Sequence, residues 1–164
     1  MKKLILLFMM SFLLIGCTAT PKNNAATQVD LETLIQKINS NETFVVLFEM
    51  DGCPWCVEAL PVYKDVATKN DVKAYYLNFS DEQSKTTYKI DFDILTNYLR
   101  DNIEFDDEGY PIFYVPAAFF FKNGNVVNIH TGTVNAHNPS VAKLTKDQTN
   151  ELIALYQDGF DLLK

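Results

Sequence analysis

The chain has 164 residues, 48% of them hydrophobic and 13% aromatic, enough for one domain with a packed core and too apolar for global disorder. Lys+Arg 14 against Asp+Glu 21 gives a formal net charge of −7, which leaves no basic footprint for nucleic acid. Three cysteines are too few to staple a disulfide-rich mini-domain, so their positions (17, 53 and 56) carry the information.

Lys2 and Lys3 precede an apolar run from Leu4 to Ile15 interrupted only by Ser11. At about twelve residues the run is shorter than the roughly twenty a bilayer core demands, so it reads as a signal peptide covering residues 1–16. The run ends Leu14-Ile15-Gly16-Cys17, which resembles the lipobox of bacterial lipoproteins. That resemblance implies acylation of Cys17, cleavage before it, and a lipid anchor to the cell membrane. Residues 17–28 are then the lipidated cysteine and a small, polar, flexible tether, and 29–164 are the folded domain.

Within the domain, Leu31, Leu34, Ile35 and Ile38 fall at helical spacing behind Asp30, a residue suited to the N-cap. Thr43 to Phe48 is a β-branched and aromatic run of the kind buried inside a parallel sheet. Asp51-Gly52-Cys53-Pro54-Trp55-Cys56 follows, then helix-compatible sequence to about Lys69 and a second strand over 72–79. Residues 80–112 predict a helix around Phe92 to Asn102 and then an acidic loop. Residues 117–121 and 126–130 predict a hairpin turning at Asn123-Gly124. Residues 145–163 close the chain as an amphipathic helix, its end loosened at Gly159. Alternating helices and strands followed by a hairpin make the class α/β with a mixed sheet.

Cys53 and Cys56 carry the chemistry. Two cysteines three positions apart at a helix start can close a disulfide, and the helix N-terminus, with its free N–H groups and dipole, favours a thiolate at the first. Lowering a thiol pKa by one unit corresponds to about 1.4 kcal/mol of preferential thiolate stabilisation. Pro54 is tolerated in the first helical turn, and Cys56 is placed to resolve a mixed disulfide. Three plainer readings compete; one, an accidental pair of core thiols, sits poorly with the turn and helix start that Gly52 and Pro54 mark. A zinc site needs about four ligands, and only His130 and His137 are available to join the pair. A purely structural disulfide would close a very small loop and stabilise little. The redox reading requires neither metal nor cofactor. The carboxylates at 101, 104 and 106–108 do not alternate as a calcium loop requires and read as a solvated loop.

In joint register with Cys53-Pro54-Trp55-Cys56, several further residues resemble the thioredoxin-like superfamily. Pro61 stands where thioredoxins carry the proline that kinks the active-site helix. Val115-Pro116 resembles the family's cis-proline position. Phe121-Lys122-Asn123-Gly124 is similar to its hairpin turn, and Gly132 to the glycine beyond the next strand. The resemblance implies a thioredoxin fold, a central mixed sheet flanked by helices, with an insertion around 80–112. It implies that Cys53 attacks, Cys56 resolves, and Pro116 leaves the Val115 backbone free to pair with an extended substrate. Trp55, with Pro54, would offer an apolar surface to a polypeptide, although Trp55 also reads as a packing residue.

One departure concerns the proton acceptor. Thioredoxins bury an Asp six residues before the first Cys, where this chain has Leu47. Glu49 reads either as a substitute acceptor or as a strand-end surface charge. The lipidated form and spacing resemble the bacteriocin-transport accessory proteins of low-GC Gram-positive bacteria. The expected function is thus an extracytoplasmic, membrane-anchored thiol–disulfide oxidoreductase, acting on cysteine-containing exported proteins or peptides and served by a membrane redox partner. Pro54 and Val115 resemble oxidising relatives, although direction rests on a reduction potential that sequence does not fix. The alternative is a non-catalytic accessory protein that binds an exported peptide and uses the dithiol as a clip.

Overall fold

The computed structural model describes residues 25–164; Cys17, the expected signal segment and the tether up to residue 24 lie outside them. The chain builds β1 (Thr27–Gln28), α1 (Leu31–Asn39), β2 (Phe44–Glu49), α2 (Pro54–Thr68) and β3 (Lys73–Asn78). It continues through α3 (Phe79–Gln83), α4 (Tyr88–Leu99), β4 (Glu104–Phe105) and β5 (Pro111–Ile112). It ends with β6 (Ala117–Lys122), β7 (Asn125–Thr131) and α5 (Lys146–Asp161).

Five strands form one mixed sheet in the order β1-β3-β2-β6-β7, the thioredoxin arrangement. β3 runs parallel to β1 and β2, whereas β6 is antiparallel to β2 and β7. The central position of β2 explains its composition. Phe44 to Phe48 are all fully buried, because helices cover both faces of the sheet. Val45 and Leu47 point to one face with α2 and α5; Phe44, Val46 and Phe48 point to the other with α1 and α4. Each such side chain contributes about 1.5–3 kcal/mol of burial free energy.

Local signals fix the ends of the elements. Asp30 caps α1 by accepting from Thr33 N at 2.8 Å. Thr145 and Gln148 make a reciprocal capping box on α5. Asn123 and Gly124, with φ of 53° and 76°, turn the β6–β7 hairpin.

Four sequence expectations change. The sheet begins at Thr27, inside the expected tether, because Thr27 and Gln28 pair with Tyr75 and Tyr76 through backbone groups that leave no apolar signature. The helix expected from Phe92 starts at Tyr88. The acidic stretch is not a plain loop: β4 and β5 pair across it, and Asp106 accepts from Glu108 N at 3.1 Å and Tyr110 N at 2.7 Å to make the turn. Gly159 does not loosen α5. It lies within the helix, and a Cβ there would come within 2.3 Å of the Phe120 ring. The residue is small so that helix and sheet can meet.

Candidate active site

The site forms where β2 gives way to α2. Gly52, with φ of 74°, turns the chain, and Cys53 takes an extended conformation as the N-cap of α2, with Pro54 in the first turn. The loop ahead of it is braced from β3. Asn78 Nδ2 donates to Asp51 Oδ1 at 2.8 Å, and Ser80 Oγ accepts from Asp51 N at 3.0 Å. Asn78 Oδ1 accepts from Ser80 N at 2.8 Å and so caps α3 with the same side chain. Asn78 and Ser80 escaped the sequence reading, because their partner lies 27 to 29 positions away.

Cys53 and Cys56 are joined as a disulfide with Cα atoms 5.2 Å apart. Cys56 N–H donates to Cys53 Sγ at 3.1 Å. That donor and the end of the helix both favour negative charge on this sulfur when the bond opens. Cys53 retains 8% exposure against 2% for Cys56, so an incoming group meets Cys53 first. The Val115–Pro116 peptide is cis, and the Val115 carbonyl oxygen lies 3.6 Å from Cys53 Sγ. Gly132 N–H donates to Pro116 O at 2.7 Å, which binds the loop after β7 to the proline loop. Met50, Trp55 and Val57 expose apolar surface around the dithiol, and Pro54 is exposed among them.

Leu47 is fully buried at the position expected to hold an acid. Glu49 lies two residues further along β2, so its side chain falls on the same face, toward α2 and α5. Its carboxyl is held above the usual carboxylate range, first by burial and then by the Asp51 and Asp81 carboxylates, against the pull of Lys64. It makes no hydrogen bond to either cysteine among the described residues. Pro61 lies inside α2 as expected, and the helix continues past it.

The histidines serve the scaffold. His130 Nε2 donates to Thr133 O at 2.8 Å, and burial holds its pKa below the ordinary value. His137 Nδ1 lies 2.8 Å from Thr133 Oγ1, and its Nε2 donates to Ala142 O at 3.1 Å. Among the described residues no three His, Cys, Asp or Glu side chains gather to hold a metal ion.

Residues 31–144 match the thioredoxin-like domain family. The chain belongs to this family. No curated protein matches the sequence. Among solved structures, the chain resembles thioredoxin (Mala s 13) of Malassezia sympodialis at 16% identity and a TM-score of 0.50, over 83% of this chain and 91% of that one. It resembles Schistosoma mansoni thioredoxin at 18% identity and 0.50, over 85% and 99%. It also resembles a chain of a complex between ferredoxin:thioredoxin reductase and thioredoxin f2, at 18% identity and 0.51, over 82% and 94%. At such identities the likeness is one of fold.

Proposed function

We propose that this protein is an extracytoplasmic thiol–disulfide oxidoreductase, lipid-anchored through Cys17, that exchanges disulfides with exported polypeptides. The observation that carries the chemistry is the setting of Cys53: an N-cap sulfur accepting from Cys56 N–H at 3.1 Å, more exposed than its partner, and 3.6 Å from the Val115 carbonyl. In the reducing direction, the Cys53 thiolate attacks one sulfur of a substrate disulfide. The substrate S–S bond breaks, a mixed disulfide forms, and one substrate thiolate leaves. Cys56, deprotonated with Glu49 as proton acceptor, attacks Cys53 Sγ and expels the second substrate thiolate. Two electrons pass to the substrate and the Cys53–Cys56 disulfide remains. The oxidising direction reverses each step, starting from the disulfide. Val115 would offer its backbone to an extended substrate strand, and Trp55 and Pro54 their apolar surface.

A membrane redox partner would reset the dithiol. The apolar run, the cysteine at 17 and the small polar stretch after it support an anchor. No helix among the described residues is long and apolar enough to cross a membrane. The narrower assignment, a relative of bacteriocin-transport accessory proteins, rests on the lipobox-like segment and the 80–112 insertion.

Turnover in an insulin-reduction assay tests the enzyme reading. Catalysis lost in Cys53→Ser supports it, and an inert wild-type protein that still binds a peptide would instead support the non-catalytic accessory role. Palmitate labelling of the wild type but not of Cys17→Ser tests the anchor. Equal labelling would remove it.

A further inference from the structure

Beside the dithiol lies an open cavity of about 430 Å³ between the start of α2, the end of β7 and α5. Trp55, Val134 and Leu155 give it apolar walls; His130 and Glu151 give it acceptors; Gly132 joins it to the proline loop. No lysine or arginine lines it. His130 commits Nε2–H to Thr133 O and leaves Nδ1 without a hydrogen bond among the described residues. The Glu151 carboxylate likewise has no hydrogen-bond or ion-pair partner there. Burial holds the His130 pKa below its ordinary value and so favours the neutral ring, whose Nδ1 can accept.

We propose that this cavity is a subsite for a cationic side chain, lysine or arginine, carried by the substrate polypeptide close to its reacting cysteine. The inference rests on the oxidoreductase reading and names the substrate that reading leaves open. A long aliphatic stem would lie along Trp55 and Leu155, while its charged head donates to Glu151 and to His130 Nδ1. An anionic side chain meets the like charge of Glu151. A neutral apolar one fills the walls and leaves the exposed Glu151 carboxylate to solvent, gaining nothing from its charge. Trp55 stands between the two cysteines in sequence and forms a wall of the cavity, so a chain reacting at Cys53 passes its mouth.

The test uses disulfide-linked peptides identical except for lysine, norleucine or glutamate at each position within three residues of the cysteine. The second-order rate of their reduction by the reduced protein is divided by the rate with dithiothreitol, which removes differences in intrinsic thiol reactivity. At one or more positions lysine should exceed norleucine by about three- to tenfold, with glutamate slowest. Glu151→Gln should bring the lysine-to-norleucine ratio close to one, and Glu151→Lys should invert the order of lysine and glutamate. Glu32→Gln makes the same charge change on α1, across the sheet, and should leave the ratio as in the wild type. Equal rates for lysine and norleucine at every position overturn the subsite, as does an order that survives Glu151→Lys. A ratio lost equally in Glu32→Gln also overturns it, since the preference would then belong to the overall charge. Failure both to reduce these peptides and, from the disulfide form, to oxidise their thiol forms rejects the oxidoreductase reading, and the subsite with it.

Discussion

The two faces of the central sheet are built from different chemistry. The face under α1 and α4 is a phenylalanine layer. Phe48 packs on Phe79 and Phe119 at 5.3 and 5.0 Å, and Phe113 on Phe92 and Phe79 at 5.1 and 5.5 Å. None of these rings has a polar atom to satisfy. The face under α2 and α5 carries Tyr63, Tyr156, His130 and, at its edge, Glu49. Tyr63 OH donates to Tyr75 O at 2.8 Å, and burial raises both tyrosine hydroxyls well above their ordinary pKa. Chemistry is placed on the polar face, and the insertion closes the apolar one. The two meet at one point: Phe113 is anchored in the phenylalanine layer, and two residues later Val115 presents its carbonyl to Cys53. Phe92, within the 80–112 segment, thus packs on Phe113, two residues ahead of the Val115 carbonyl that faces Cys53.

The largest effect should come from the polar face. Cys53→Ser should abolish disulfide exchange while leaving the urea midpoint within error of the reduced wild type, since one small side chain replaces another. Residual turnover at the wild-type rate would transfer the nucleophile to Cys56. On the apolar face Phe48→Ala should cost about 3–5 kcal/mol in urea unfolding, a large part of a typical domain's stability. A loss below about 1 kcal/mol would mean that the layer repacks freely. The matching perturbation of the polar face is Gly159→Ala, which drives a methyl into the Phe120 ring and should cost about 1–3 kcal/mol. A neutral result would show that α5 shifts without penalty. Phe113→Leu keeps most of the apolar volume, yet it should lower kcat/KM for exchange by several-fold with little change in the urea midpoint. An unchanged kcat/KM would uncouple the insertion from the proline loop.

The contrast between the faces also explains what was legible in the sequence. β2 and β6 read clearly, because burial on both sides demands an unbroken apolar run. α1 and α5 read clearly from period and caps. The dithiol, Pro116 and Gly132 stood out because the chemistry and the turns restrict their residue types. The β4–β5 ribbon did not, since its two pairs of residues carry no alternating pattern, and Asp106 acts through backbone amides that any sequence possesses. Gly159 misled, because a glycine chosen for a neighbouring ring looks like one chosen for flexibility. The cavity walls could not be assembled in advance, because Trp55, His130 and Glu151 come from three separate elements and no local motif joins them.

The smallest effect concerns Glu49, and it separates proton transfer from packing. Burial raises its carboxyl pKa above the ordinary 4.5. The folded protein therefore holds this proton more tightly than the unfolded chain, and the charged carboxylate opposes folding once pH exceeds the folded value. Below about pH 4.5 both states are protonated and that opposition vanishes. Glu49→Gln should accordingly be slightly more stable than the wild type at pH 7, with the difference shrinking toward zero as pH falls through 4.5. As a proton acceptor Glu49 would also serve Cys56, so the same variant should slow resolution of the mixed disulfide several-fold in stopped-flow measurements at pH 7. The slowing should fade as pH rises toward the thiol's own pKa, where hydroxide removes the proton unaided. A variant that gains stability but keeps the wild-type resolution rate at every pH would make Glu49 a strand-end charge, and the proton would then leave Cys56 directly to solvent.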